Sequence, residues 1–448
     1  MAFAMLLVGA SCSDDDNTPS YSTGAVQNTE LKTILVQRGY TFNEDGNLLL
    51  DDLAKNTTTL DLSGTQISTD ALAELSMFPN LTDVDLSDNE YSLSFDFSSL
   101  PEQITGVDLT GNELYEFPGL VNIETLENGD ENVTVLHSLA KLYLPESAKY
   151  NCNEIVAFYQ NASGVDMQME NRAGTLSAYN TLREVPDEIT RVALQELFPS
   201  MFEGDNIDIS KRLVKADERS KNILISESGV TSVEGVEYIL MNRGYQGAQI
   251  MITSTEECEL PYLKLGDTFT TIALRNVSTP NLDISEAVNL CLIQIVSNES
   301  LKVLDLSNCK KLGQRGYEME TAPFNNPSSV TLTDCDNLES FLLPSEATII
   351  SQISMCILPS LGNINMSNLE FVGTLVLGDL AKATIEYPNY TRWSELNSAT
   401  FAITEDIYAK DETKTFLDLF HENLTQGSNG AFPQGFGLKV YRWKSIHY

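Results

Sequence analysis

Apolar residues in the first half of the chain fall in pairs that skip one position: Leu60 and Leu62, Val84 and Leu86, Val107 and Leu109, Leu142 and Leu144. The first three pairs recur about every 22 to 24 residues. Side chains alternate across a strand, so each pair predicts a short strand with two residues in a core and one between them facing out. The outward residues are Asp61, Asp85, Asp108 and Tyr143. Two fuller copies, LTDVDLSDN at 81–89 and LKVLDLSNCKKL at 301–312, carry apolar residues at the first, fourth and sixth places and Asn or Cys at the ninth. Asn89 and Asn112 stand where the chain must turn. An inward Asn there is expected to satisfy backbone groups that would each cost about 1–3 kcal/mol unpaired. Connecting segments such as ALAELSMFPNL have their own apolar periodicity and are expected on the far, convex side.

The same order of elements appears twice. TELKTILVQRG at 29–39 puts Leu31, Ile34 and Leu35 at helical spacing before a Gly suited to a C-cap, and PDEITRVALQELF from Pro186 predicts a second amphipathic helix. EDGNLLLDDLAK is echoed by EGDNIDISKRLVK, and TLDLSGTQISTDALAEL by ILISESGVTSVEGVEYI, a pattern that predicts internal duplication. In the second half the pairs come faster. Ile272/Leu274, Leu282/Ile284, Ile293/Ile295 and Leu304/Leu306 recur about every ten or eleven residues, as if both sides of a compact coil carried a strand. Val330/Leu332, Ile364/Met366, Leu375/Leu377 and Phe401/Ile403 continue the series. KLYLPESAKYNCNEIVAFYQN at 141–161 and TFAITEDIYAKDETKTFLDLF at 400–420 predict a strand, loop and helix closing each half, with GLKVYRW at 437–443 as a last strand.

These spacings resemble those of bacterial leucine-rich repeat proteins. The lead-in at Pro186-Asp187 with SVEGVE at 232–237 is similar to the opening segment of such proteins. The resemblance implies an α/β solenoid of leucine-rich repeats in two consecutive modules, residues 25–182 and 183–448, each with a helical lead-in and a closing strand–loop–helix. Residues 1–10 are apolar, and LLVGASC ending at Cys12 resembles a lipobox. The Ser13, Asp14, Asp15 and Asp16 that follow are similar to the surface-export signal of Bacteroidetes-type lipoproteins. This implies lipidation at Cys12, residues 1–24 as signal and flexible tether, and an address on the cell outer membrane facing outward. Acyl chains would hold the membrane by burying methylenes at roughly 0.8 kcal/mol each, the lipid anchor being the only membrane contact.

Charge narrows the partners. With 27 Lys+Arg against 64 Asp+Glu, a formal charge of −37, the chain repels nucleic acid and anionic membrane surfaces. A non-enzymatic protein without cofactors is expected: no triad, phosphate loop or paired-carboxylate motif is readable, and the three His, at 137, 421 and 447, are scattered. Of seven Cys, Cys12 belongs to the lipid signal, while Cys309, Cys335 and Cys356 sit at turn places and read as buried thiols. Cys152 precedes a predicted helix, whose N-terminus could lower a thiol pKa, but its counterpart in the second half is not Cys. An acidic turn puts Asn43, Asp45, Asn47 and Asp52 at calcium-loop spacing, although Thr41 stands where the first ligand would be Asp; a structural turn is the better reading. Asp61, Asp85 and Asp108 suggest a basic protein partner bound across the outward face. Tyr387, Tyr390, Arg392 and Trp393 form a second candidate patch of aromatic and Arg composition. The expected function is protein binding or adhesion at the cell surface; the alternative is a glycan-binding accessory of a polysaccharide-uptake system.

Overall fold

The computed structural model describes residues 21–127, 130–213, 219–314, 328–389, 399–420, 424–426 and 438–443. Cys12, Tyr390, Arg392, Trp393, His421 and His447 lie outside the described residues. In the first half, the paired apolar positions form short strands that stack side by side. Leu60, Val84, Val107 and Leu142 are buried, each in the middle of its strand or one place from it. They belong to a six-stranded sheet that runs, from one edge, 176–178, 166–170, 141–144, 106–108, 83–85 and 59–61. Every neighbour is parallel except the 176–178 edge strand. Asn89 and Asn112 tie successive turns together. Asn89 donates to the Leu62 and Ser87 carbonyls and accepts from the Thr65 and Ile67 N–H groups. Asn112 donates to Leu86 and Leu109 and accepts from Asn89 and Tyr91.

The second half is built on a ten-stranded sheet, parallel throughout, that starts at Asn222–Ile225 and reaches Leu438–Trp443 and its neighbour Leu424–Gln426. Between its strands the chain makes further short ones, which pair among themselves: Tyr262–Lys264 with Asn281–Asp283, Val303–Asp305 with Ser340–Leu342, and Asn363–Asn365 with Thr384–Glu386. Ser297, Asp334, Ile357 and Asp379 each follow directly on a strand of the long sheet and are left-handed, turning the chain out of the sheet plane.

The expected α/β leucine-rich-repeat solenoid is corrected by this architecture. The chain is mostly β-sheet, 34% strand against 19% helix, with several separate sheets and few helices. The physical reason lies in the connecting segments. ALAELSMFPNL gives a 3-10 helix, Thr69–Met77, rather than a run of α-helix. In the second half the intervals of about ten residues between apolar pairs leave no room for helices of ordinary length, around 11 residues, so both pairs of an interval become strands. LKVLDLSNCKKL accordingly contributes Val303–Asp305 to a two-stranded sheet, not to the long one. The α-helices that do form include Thr29–Gln37, Glu154–Asn161, Glu188–Leu197 and Asp411–Asp418. Asp187 caps Glu188–Leu197 through the Thr190 N–H, and its other oxygen takes the N–H and hydroxyl of Thr231.

Buried apolar residues form two clusters. One runs from Val26 to Tyr179; the other runs from Val185 to Phe420 but also takes in Tyr115, Tyr150, Cys152 and Val156 of the first half. Those residues make the junction. Tyr262, Tyr115, Tyr150 and Tyr238 stack in that order, with centroids 4.8, 6.1 and 5.7 Å apart. Glu116 accepts from the Tyr262 hydroxyl at 2.8 Å and the Lys264 ammonium at 2.6 Å, and Lys149 pairs with Glu234 at 2.8 Å.

Candidate functional site

The outward residues of the six-stranded sheet come together in rows. Asp61 is opposite Asp85, Asp85 opposite Asp108, Asp108 opposite Tyr143, and Tyr143 opposite Gln168. With neighbouring strands about 4.8 Å apart, three carboxylates line up on adjacent strands. A second row on the same face reads Thr59, Asp83, Gly106, Lys141 and Asp166. The Asp83 carboxylate lies over Gly106 and would have to swing aside if that position carried a Cβ.

Each aspartate of the first row has a local task. Asp61 Oδ1 accepts from the Ser63 N–H at 3.0 Å and hydroxyl at 2.7 Å. Asp85 does the same with Ser87, and Asp108 with Thr110. This closes a side-chain turn as the strand ends. The turn recurs at Asp208 with Ser210, Asp283 with Ser285, and Asn365 with Ser367. It therefore marks a strand end wherever that strand lies. The Asp61 carboxyl is held below its usual range by the Ser63 hydroxyl and N–H and by Arg38, 2.8 Å away, against some desolvation. The Asp166 carboxyl is lowered by Gln168 and by the Tyr143 hydroxyl, which donates to it at 2.8 Å. Lys141 lies over the Tyr143 ring, 4.3 Å from its centroid. Five aspartates thus share the face with Lys141 and Arg38. Asp83 and Asp166 were not singled out from sequence, although both lie two residues from an outward position and so must share its face.

The remaining candidates fall elsewhere. Tyr387 is half-buried, stacks on Phe416 at 4.3 Å and bonds Thr413 through its hydroxyl at 2.7 Å, so it packs the interior. Its companions Tyr390, Arg392 and Trp393 lie outside the described residues. Asn43 spends its side chain on the Asn47 N–H, the Lys32 ammonium donates to the Gly46 carbonyl, and Asp52 opens the helix Asp52–Asn56. The turn carrying Asn43, Asp45 and Asn47 is thus closed by its own bonds and a lysine. No group of three or more His, Cys, Asp or Glu suited to a metal occurs among the described residues. Cys152 is fully buried, and burial pushes its thiol up to about 12, which outweighs any help from the helix behind it. Cys309 and Cys335 are buried and raised in the same way. Cys356 is also buried. His137 is buried against Phe97 and bonded to the Ile104 carbonyl at 2.8 Å.

No family model, no curated protein and no solved structure matches the chain.

Proposed function

We propose that the chain is a non-enzymatic, surface-exposed lipoprotein that binds a basic protein partner through the acidic face of its six-stranded sheet. The observation that carries the reading is the in-register row Asp61, Asp85 and Asp108, flanked by Asp83 and Asp166. Aligned carboxylates repel one another, and a partner bearing Lys or Arg relieves that repulsion while being steered toward the face. The segment LLVGASC followed by Ser13 and three aspartates supports the lipid anchor at Cys12 and the outward-facing address on the outer membrane. Among the described residues, no helix is long and apolar enough to cross a membrane.

The test uses Asp85→Asn with Asp108→Asn. Asn365 makes the same turn with Ser367, so Asn keeps the turn and removes only the charge. A membrane-impermeant cross-linker applied to intact cells should capture a basic protein on the wild type in a salt-sensitive manner, and the double variant should lose that same protein. Equal capture by the double variant, or no capture from outside the cell, would overturn the proposal.

A further inference from the structure

Where the two halves meet, a cleft of about 670 Å³ opens between them. The first half contributes Leu93, Glu113 and Glu116 to its walls, and the second half Tyr262, Val303 and Asp305. The volume is in the range of ordinary ligand sites, which favour such junctions. Three observations set this cleft apart from a mere gap.

Leu93 is presented to it in an unusual way. The residue is 45% exposed and its backbone is left-handed, φ +66, a conformation that residues other than Gly, Asn and Asp seldom hold. The pairing of Ser92–Ser94 with Glu113–Glu116 shifts register between Leu93 and Ser94. Such a bulge re-aims a side chain, here an apolar one, toward the opening. The apolar floor then continues across the second half. Val303 is 53% exposed, and on the next strand Leu342 is 48% exposed, opposite Asp305 and bordering a second hollow of about 160 Å³. The exposed apolar residues thus run from Leu93 and Val303 in the cleft to Leu342 on the strand paired beside Val303–Asp305, a succession that suits an extended chain better than a compact molecule.

Charge selects the occupant. Glu113, Glu116, Asp283 and Asp305 stand around the floor, and Lys302 is the cation in the wall. Lys264 pairs with Glu116 and Asp283, while Glu113 accepts the Tyr115 hydroxyl at 2.9 Å and has no ion pair among the described residues. Asp305 takes only the Ser307 N–H among the described residues. We infer that the cleft receives an extended segment of a protein partner in which apolar residues alternate with Lys or Arg. Alternate side chains of such a segment face opposite ways, so one set covers Leu93 and Val303 while the other meets the carboxylate rim.

The probe is a short labelled peptide of alternating Leu and Lys, titrated against the full chain by fluorescence anisotropy at physiological salt. Peptides of Leu and Glu and of Ser and Lys are the controls. Leu93→Gly removes the apolar side chain and suits a left-handed backbone, so its thermal midpoint should hold or rise. Affinity for the Leu/Lys peptide should fall about tenfold or more in Leu93→Gly, and likewise in Val303→Ser, and neither control should bind the wild type. Wild-type affinity in both variants would overturn the inference, as would equal binding of the Ser/Lys peptide. Loss confined to the Asp85→Asn, Asp108→Asn chain would also overturn it, by placing the peptide on the acidic sheet and leaving the proposed function standing.

Discussion

The two parallel sheets of this molecule treat charge in opposite ways. On the six-stranded sheet, five outward positions are aspartate. On the ten-stranded sheet the corresponding row reads Leu224, Met251, Ala273, Gln294, Thr331, Ser354, Val376 and Ala402, with no charge in it. The row two residues earlier, from Asn222 through Gln249 and Thr271 to Gln352 and Thr400, carries no carboxylate either and ends on Lys439. In a parallel ladder each outward residue sits beside its counterparts on both neighbouring strands, so a repeated charge accumulates along the sheet. A short sheet withstands this with Arg38, Lys141 and the serine turns. In the long sheet the acidic turn motif is displaced: Asp283, Asp305 and Asn365 lie on the two-stranded sheets instead. The acidic face is then a local feature of the first half, not a consequence of overall acidity.

The harshest way to break the contrast is to put a carboxylate into the uncharged row. Ser354 is 3% exposed between Thr331 and Val376. Ser354→Asp should cost on the order of 3 kcal/mol, because the charge is desolvated without a partner. The measurement is the urea midpoint; a shift no larger than that of Gln168→Asp on the acidic sheet would show that the two faces do not differ as argued.

A second effect belongs to the junction that joins the sheets. Glu237 is fully buried, its Oε1 has no hydrogen-bond partner among the described residues, and its Oε2 accepts the Gly235 N–H. Burial, reinforced by Glu234 and opposed by backbone N–H groups and Lys149, pushes its carboxyl up to about 8, and Tyr150, Tyr238 and Cys152 are in its field. The folded state therefore holds this proton more tightly than the unfolded chain, whose Glu titrates near 4.3. Stability should be greatest below about pH 4.3 as far as this group is concerned. It should fall as pH rises toward 8, by up to about 1.4 kcal/mol per pH unit, and level off above. Glu237→Gln keeps an acceptor for Gly235 and should remove that slope in denaturation curves taken across the window. An unchanged slope would mean that Glu237 is ionised in the folded state.

Much of this was legible in the sequence, and the failures share a cause. The apolar pairs located the short strands, and the turn residues Asn89 and Asn112 bond as their positions required. Which sheet a strand joins was not legible. Val84/Leu86 and Leu304/Leu306 have the same local spelling, but one pair lies on the main face of its half and the other on a side sheet. The motif encodes the turn that ends a strand, and that turn is local; sheet membership depends on which strand returns alongside. The form of the connecting segments was not legible for a related reason, since apolar periodicity in an 11-residue segment is compatible with a 3-10 helix or a second strand. Tyr387 was a candidate by aromatic composition alone, which carries no information about burial; its half-buried ring stacks on Phe416. The Leu93 cleft left no trace in sequence, since a left-handed Leu is spelled like any other.

The finest comparison separates the two jobs of the row aspartates, turn and charge. Asp85→Ala removes both: the Ser87 N–H and hydroxyl lose their acceptor, at a cost of about 1 kcal/mol, the usual scale for such a side-chain cap. Asp85→Asn removes only the charge between Asp61 and Asp108 and should raise stability by about 0.5 kcal/mol at low salt, an increment that fades as ions screen the row. Opposite signs for Ala and Asn, measured by urea denaturation at two salt concentrations, would establish that the acidic face is held against its own repulsion. Such a cost is what a surface retained for a basic partner would carry. If Asn destabilises as Ala does, the carboxylates are there for the turns alone, and the acidic row has no separate claim to function.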